Sequence, residues 1–230
     1  MKSEAWKQQR VLKSQDIPEH QQMVNNIYEF DFLQEQALYA LTYLTAGRIT
    51  ELVECPYLRR VTYKRETIKK NGRRVNIIAR NDRGSPIQEK VTKVYIHYTG
   101  LRKKDLTYTN IRGKDILLIN MANRKNKEFT RKNIPIPINH ESPFMEIINS
   151  YIDTLQRDTD QLFPFKMRKA QRIISKIGFN PHFLRDVRLT HMVTLYQYNT
   201  HQLVKFAGWK SIAPAERYVR LGVGDLVENF

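Results

Sequence analysis

The sequence predicts an α+β protein that is mainly helical and carries a small region of antiparallel β-sheet. Apolar residues recur at helical spacing from 32 to 44 and again from 144 to 155. Between these stretches, residues 56 to about 138 hold runs in which apolar and polar side chains alternate, separated by turn residues. Helices that are interrupted by strands and then resume are typical of an α+β fold.

The composition favours a partner with many negative charges. Among 230 residues, 39 are Lys or Arg and 23 are Asp or Glu, so the formal net charge is +16. Such an excess promotes binding to nucleic acid through counterion release. The sequence has no apolar run of 18 residues and no signal-peptide pattern, so we expect no membrane partner. Cys55 is the single cysteine, which excludes an internal disulfide and predicts an intracellular protein.

The first helical part leads to an arginine. Residues 1–30 are polar and Gln-rich, and we expect them to form a linker or arm before a domain that spans 31–230. Asp31 is a plausible N-cap for a buried helix that ends near Gly47 and presents Arg48. A partly buried arginine needs an anion, and Glu51 is the nearest candidate.

The sequence predicts β-hairpins in the middle of the chain. Alternating runs at 75–78, 94–98 and 116–119 are separated by turn signals, of which Asn71-Gly72 is the clearest. Between Arg59 and Arg74 there are eight basic residues and one acidic residue. This hairpin is either a solvated surface or a surface for a DNA backbone.

The last third returns to helices and ends in a cluster of reactive residue types. After a helical pattern from Pro143, the stretch 166–176 holds five basic and no acidic residues and could line DNA. His182 and Arg185 follow, three residues apart on one helix face, and Trp209 and Tyr218 come later.

These residue types suit phosphoryl transfer. An arginine fork matches phosphate oxygens, histidine moves protons near neutral pH, and tyrosine offers an oxygen nucleophile. Taken singly, each has a simpler interpretation, since Tyr218 is one of 12 tyrosines and Trp209 could be a core side chain. Their combination in this order is the informative feature.

That order resembles the C-terminal signature of the tyrosine recombinases, the phage-integrase family. Thr45–Leu52, which reads TAGRITEL, is similar to the family's upstream Thr-Gly-x-Arg-x-x-Glu-Leu motif, roughly 130 residues earlier. The resemblance implies the mainly helical catalytic domain of that family. It also implies a site-specific recombinase or integrase that cleaves and rejoins DNA through a 3′-phosphotyrosyl intermediate. Relative to the family, about 54–98 is an inserted β-rich segment.

The resemblance also assigns roles within this sequence. Arg48 and Arg185 would bind the non-bridging oxygens of the phosphate, and Tyr218 would attack it. Glu51 would position the site without touching the substrate. The remaining catalytic residues would be His182 as acid or base, Trp209 as a hydrogen-bond donor, and a hairpin lysine that protonates the 5′ leaving oxygen.

The lysine has two candidates. Lys125 and Lys127 both precede Pro135 by the expected interval, and Lys125 is preferred. The alternative is a hairpin whose lysines only contact phosphates. We expect no metal and no other cofactor, because the chain lacks the acidic clusters of a magnesium nuclease.

Three neighbouring residues of the motif helix carry further expectations. Asp186 stands where the family more often has His, and it would orient Arg185 or weaken the local positive field. Arg188 is predicted to share the working face with His182 and Arg185. His191 matches the family pattern, and we expect it to serve packing.

The expected partner is double-stranded DNA, with self-association into a tetrameric synapse on DNA and a monomer or dimer in free solution. The resemblance places the protein in the cytoplasm or nucleoid of a prokaryotic host, or assigns it to a virus or plasmid. The alternatives are a type IB topoisomerase-like enzyme, a telomere resolvase, or a non-catalytic basic DNA-binding module. Thirty residues cannot build the family's usual N-terminal DNA-binding domain, so the chain is either the catalytic part of a longer protein or an unusually short member.

Overall fold

A computed structural model describes residues 17–54, 57–95, 98, 100–123 and 130–219 of the chain. The chain divides into two compact units. The first combines Met1–Glu54 with Gly100–Phe230, and the second is Cys55–Thr99. Each unit is described by itself.

Within the described residues, the first unit has helices in the stretch 20–30, for which the sequence predicted a linker or arm. Helix α1 spans His20–Asn25, and a 3₁₀ turn follows at Asn26–Glu29. Their apolar side chains, together with Phe30, lie in the core, so residues 20–30 form part of the packed unit. The polar composition hid this helix because it has few apolar residues, although those it has lie at the spacing of one helix face.

Helix α2 spans Leu33–Leu44 and is buried along most of its length. Its N-cap is Phe32, one residue after the predicted Asp31, and no side chain caps it. A tight turn through Ala46, whose φ is 44°, leads to the short helix α3 at Ile49–Leu52. This turn places Arg48 at the start of α3.

A three-stranded antiparallel sheet follows, with the order β5-β6-β7. The strands are β5 at Leu106–Ile111, β6 at Lys114–Asn123 and β7 at Thr130–Pro137. The last pair of the β6–β7 hairpin is Asn123 opposite Thr130. The inward positions of β7 are 132, 134 and 136, so a lysine shares the buried face with two isoleucines.

The C-terminal part of this unit is helical, as predicted. Its described residues include four helices, which are α4 at Ser142–Asp153, α5 at Met167–Ser175, α6 at Pro181–Thr194 and α7 at Thr200–Ala207. Residues 213–219 are also helical. Asn180 caps α6 by accepting from the Phe183 N–H at 2.9 Å, and Pro181 supplies the first-turn proline. Helix α6 packs on α2, which brings the two motif regions together.

A buried ion pair joins α6 to the residues just before α4. Arg188 Nη2 lies 2.7 Å from Glu141 Oε1, and the Tyr196 hydroxyl donates to the same oxygen at 2.5 Å. Both members of the pair are almost fully buried. The prediction that Arg188 lies on the same functional face of the helix as His182 and Arg185 was therefore wrong. Its side chain points into the core toward the Glu141 carboxylate.

His191 lies in the same region and is also buried. Its Nε2 donates to the Pro18 carbonyl at 2.9 Å, which leaves Nδ1 to accept from the Tyr43 hydroxyl at 2.7 Å. Burial is the main cause that lowers the His191 pKa to about 4. A neutral imidazole can make both hydrogen bonds. His191 therefore contributes to the packing of the core.

The second unit consists of two antiparallel strand pairs. Strand β1 at Tyr57–Tyr63 pairs with β4 at Gln88–Tyr95. Strand β2 at Arg65–Lys70 pairs with β3 at Arg73–Ile78 across the Asn71-Gly72 turn, whose φ angles are 51° and 76°. Positive φ at both central residues is what an Asn-Gly hairpin turn requires.

Candidate active site

The N-terminus of α3 holds a carboxylate between two cations. The Arg48 backbone N–H donates to Glu51 Oε2 at 3.1 Å, and its Nη1 donates to Oε1 at 2.9 Å. The Glu51 side chain is fully buried, whereas 28% of the Arg48 side chain is exposed. Glu51 therefore anchors an arginine whose outer edge stays open to a ligand.

Lys132 approaches the same carboxylate from strand β7. Its Nζ lies 3.5 Å from Glu51 Oε2, a long distance for a hydrogen bond, and the side chain is 7% exposed. Burial lowers the Lys132 pKa to about 8; the Glu51 charge opposes this shift, and Arg185 and Arg48 add to it. Lys132 was missed from the sequence, although a lysine on the apolar face of an alternating strand was the available signal.

Arg185 contributes to the electrostatics of this group. Burial alone would raise the Glu51 pKa, but the charges of Lys132, Arg48 and Arg185 outweigh it, so the Glu51 pKa lies below its ordinary value. Burial and the charge of Arg48 lower the Arg185 pKa in turn. The two arginines of the sequence motifs therefore lie close enough to influence one carboxylate and each other.

Arg185 is held from two sides. Its Nη1 donates to the Ala46 carbonyl in the turn before Arg48, and its Nη2 donates to the Ala207 carbonyl at 3.3 Å. Its guanidinium carbon lies 5.6 Å from the centre of the Trp209 ring. The guanidinium thus bridges the α2–α3 turn and the end of α7.

Helix α7 ends where Gly208 touches the β6–β7 hairpin. Gly208 has a φ of 68°, and the Asn123 side-chain amide donates to its carbonyl at 3.1 Å. An added Cβ at Gly208 would lie 2.7 Å from Asn123 Nδ2, so the site needs glycine for both conformation and space. Trp209 follows directly, and its backbone N–H donates to the Val204 carbonyl at 3.0 Å.

Trp209 and Tyr218 form a stacked pair. Their ring centres lie 5.7 Å apart with an angle of 13° between planes, and Tyr218 is 6% exposed. The Tyr218 hydroxyl donates to Asp186 Oδ1 at 2.5 Å. Burial, followed by the Asp186 carboxylate, raises the Tyr218 pKa well above its ordinary value.

The predicted site residues are therefore only partly assembled. One connected group contains five of the predicted residues, namely Arg48, Glu51, Arg185, Trp209 and Tyr218. Lys132 and Asp186 belong to this group as well. His182 is exposed in the first turn of α6, and no contact within the described residues joins it to this group. Lys125 and Lys127 lie outside the described residues.

The described part of the chain lacks two features that are typical of other classes of protein. No helix there is both long and apolar enough to cross a bilayer. No cluster of three or more His, Cys, Asp or Glu side chains there is arranged to hold a metal ion.

The arrangement of helices and small sheets matches the catalytic domain of a tyrosine recombinase, which confirms the predicted fold class. The chain aligns with the crystal structure of XerA recombinase at a TM-score of 0.51 and 15% identity, covering 92% of this chain and 61% of that one. It aligns with XerH site-specific recombinase bound to a palindromic difH substrate, in a post-cleavage complex, at a TM-score of 0.51 and 14% identity.

The XerH match covers 91% of this chain and 50% of XerH, so the chain spans half to three-fifths of these two proteins. No family model matches the sequence, and neither does any curated protein. At 15% and 14% identity, these similarities show a shared fold and nothing more.

Proposed function

We propose that this chain cleaves and rejoins DNA strands through a covalent bond between Tyr218 and a 3′-phosphate, as a site-specific recombinase or integrase. The observation that carries the proposal is the convergence of Arg48, Arg185 and Tyr218 from opposite ends of the sequence. The chain shares its fold with XerH, whose structure is that of a complex with its DNA substrate.

The charges support binding of a phosphodiester. Arg48 keeps an exposed edge while Glu51 fixes its other edge, and Arg185 is immobilised by two backbone carbonyls. A guanidinium that is already oriented stabilises charge on phosphate oxygens without reorganisation in the transition state. The net effect is a rigid cationic site for one phosphate.

The nucleophile also suits this chemistry. Tyr218 is stacked on Trp209, whose other neighbour is Arg185, so the phenol lies next to the cationic site. Attack by its oxygen on phosphorus replaces the bond to the 5′ oxygen, and the covalent intermediate conserves the bond for rejoining. We place the proton donor for the 5′ oxygen at Lys125 or Lys127, and His182 as a further acid or base.

The partner in this proposal is double-stranded DNA. Recombination joins two duplexes, so we further propose that the protein assembles on DNA as a tetramer. A type IB topoisomerase would share the cleavage step but relax supercoiled DNA without a second duplex, and a telomere resolvase would produce hairpin ends. Gel analysis of the products separates these outcomes from strand exchange.

The experiment is covalent capture. A pool of nicked duplexes with randomised sequence is incubated with the protein, and complexes that survive detergent are retained, amplified and sequenced. We expect adducts with the unchanged protein and none with Tyr218→Phe. Tyr198→Phe is the matched control, because Tyr198 is a partly buried tyrosine that also follows α6, and its change should leave the adduct intact.

If the unchanged protein binds the duplex pool but never forms an adduct, the protein is a non-catalytic DNA-binding module. If Tyr218→Phe still forms the adduct, another residue is the nucleophile.

A further inference from the structure

The proton of the Tyr218 hydroxyl already has an acceptor. The phenol donates to Asp186 Oδ1 at 2.5 Å, a length typical of a strong hydrogen bond to an ionised oxygen. Tyr218 and Asp186 are each 6% exposed, so bulk water has little access to this contact. The two side chains come from different elements, α6 and the helical segment 213–219.

A nucleophilic tyrosine in this setting needs a base. Burial and the neighbouring carboxylate raise the Tyr218 pKa, so the phenol keeps its proton in the free protein. The charges of Arg185 and Arg217 oppose that shift without reversing it. The reactive phenolate character must therefore develop during the attack, with the proton passing to a group within hydrogen-bond reach.

Within the described residues, Asp186 is the group that meets this geometric condition. His182 lies one helical turn earlier than Asp186 but is exposed and makes no contact with Tyr218 there. Arg185 is a cation that donates to two backbone carbonyls, and Lys132 faces the Glu51 carboxylate instead of the phenol. The sequence predicted that Asp186 would orient Arg185 or weaken the local positive field, whereas the hydrogen bond observed is with the phenol.

We propose that Asp186 is the general base that accepts the Tyr218 proton during DNA cleavage and returns it during rejoining. This inference rests on the proposed function and adds a catalytic residue to it.

Cleavage forms one bond to phosphorus, breaks another and moves two protons. The Tyr218 oxygen forms a bond to phosphorus, its proton moves to the Asp186 carboxylate, and the bond from phosphorus to the 5′ oxygen breaks. The 5′ oxygen leaves with the bonding pair and takes a proton from a cationic acid, the lysine expected at Lys125 or Lys127. In rejoining, the 5′-hydroxyl attacks phosphorus and gives its proton to that amine. The departing phenolate recovers its proton from the Asp186 carboxylic acid.

The transfer is favourable only as the bond to phosphorus forms. Before attack, the phenol holds its proton more tightly than a carboxylic acid does, so the hydrogen bond leaves Tyr218 protonated. As its oxygen shares electrons with phosphorus, its basicity falls and the proton moves to Asp186. The base therefore acts when phosphate is present, and the free protein keeps an unreactive phenol.

The direct test compares Asp186→Asn with the unchanged protein in the cleavage of a nicked suicide substrate. The sequence of this substrate comes from the capture experiment. The amide has nearly the same shape and its oxygen can still accept from Tyr218, but it does not take a proton. We expect the single-turnover rate of adduct formation at saturating protein to fall about 100-fold or more. Asp158→Asn, an exposed aspartate after α4, is the matched control and should leave the rate unchanged.

A second measurement separates a base from a structural contact. Replacing Tyr218 with a fluorinated tyrosine, whose phenol loses its proton more easily, should raise the rate of Asp186→Asn at least about tenfold. The ratio of unchanged to variant rates should also fall as pH rises, because a larger fraction of the phenol is then ionised before attack and needs no base. The charges of Arg185 and Arg217 beside the phenol are common to both proteins, and the titration of Lys132 near pH 8 affects both and cancels in the ratio.

Three results would overturn the inference: a rate for Asp186→Asn within about threefold of the unchanged protein, a faster rate, or no rescue by fluorotyrosine in a variant that still binds DNA. A faster rate would identify the Asp186 contact as a restraint on the nucleophile. These outcomes differ from failure of the proposed function, in which the unchanged protein forms no adduct at all.

Discussion

The charge state of Lys132 depends strongly on its surroundings. Its ordinary pKa is 10.5, and burial lowers it to about 8 in the folded protein. Between these values the unfolded chain binds more protons at this side chain than the folded one does. The contribution of Lys132 therefore makes the free energy of unfolding rise from about pH 8 to about pH 10.5.

Lys132→Met should remove this rise. The difference between the unchanged protein and the variant, measured by urea unfolding across that pH range, should change by about 1–3 kcal/mol, and other lysines cancel in the comparison. An identical pH dependence in both proteins would show that Lys132 has the same pKa in the folded and unfolded chain.

Arg188 and Glu141 form a buried pair outside the candidate site. Arg188→Met should lower the free energy of unfolding by about 3–5 kcal/mol, because it leaves the Glu141 carboxylate buried without its cation. The double change Arg188→Met with Glu141→Gln should recover part of that loss, since no unpaired charge then remains. Additive losses in urea unfolding would contradict the role of this pair. Adduct formation by the folded fraction should persist in both variants.

At the scale of elements, the junction between α7 and the β6–β7 hairpin depends on Gly208. Gly208→Ala should cost both the strain of a positive φ and the clash with Asn123, whose amide nitrogen would lie 2.7 Å from the new Cβ. Gly113→Ala is the matched control, because Gly113 also has a positive φ, 76°, but nothing lies within 4 Å of its added Cβ.

We expect the control to cost about 1 kcal/mol and Gly208→Ala at least about 1 kcal/mol more in thermal or urea unfolding. Equal losses would show that Asn123 moves away freely.

The β2–β3 hairpin carries opposed cations on exposed positions. Lys69 faces Arg74 across the ladder, and like charges in this position destabilise a hairpin unless an anion lies nearby. If the hairpin contacts DNA, changing both residues to Gln should reduce the salt dependence of DNA binding by about two ion equivalents. Arg112→Gln with Lys114→Gln removes two exposed cations from another hairpin end and serves as the comparison. An unchanged salt slope would assign the β2–β3 cations to the solvated surface.

For the whole molecule, local patterns predicted much of what is observed. The helix before Arg48, the Asn-Gly hairpin and the helix that carries Arg185 all follow from periodicity and turn chemistry. The pairing of two distant motifs followed from a resemblance, since spacing alone does not bring residues 48 and 185 together.

Contacts between elements could not be predicted in this way. Arg188 and Arg185 lie on the same helix and both are buried, yet one meets Glu141 in the core and the other meets the Ala46 turn. Which partner each finds depends on how α6 packs against its neighbours. The same holds for Asp186 and Tyr218, which are 32 positions apart in sequence. Lys132 had a local signal in its strand, but its carboxylate partner comes from a different element.

The two arginines should act as parts of one catalytic site. Arg48→Ala and Arg185→Lys should each slow single-turnover adduct formation by about 100-fold or more at saturating protein, because each supplies oriented charge in the transition state. Arg172→Ala, an exposed arginine on α5, is the control; it would weaken DNA binding at most and leave the saturated rate unchanged. A loss of only a few-fold for Arg48 or Arg185 would reduce that residue to a structural role.

The most direct measurement is the chemical identity of the covalent bond. Adducts from the nicked duplex pool are digested with protease and nuclease, and the modified peptide is sequenced by mass spectrometry while the DNA ends are labelled. The account predicts a phosphodiester between Tyr218 and a 3′ end, with a free 5′-hydroxyl on the other strand end. Attachment to another residue, or linkage through a 5′-phosphate, would contradict it.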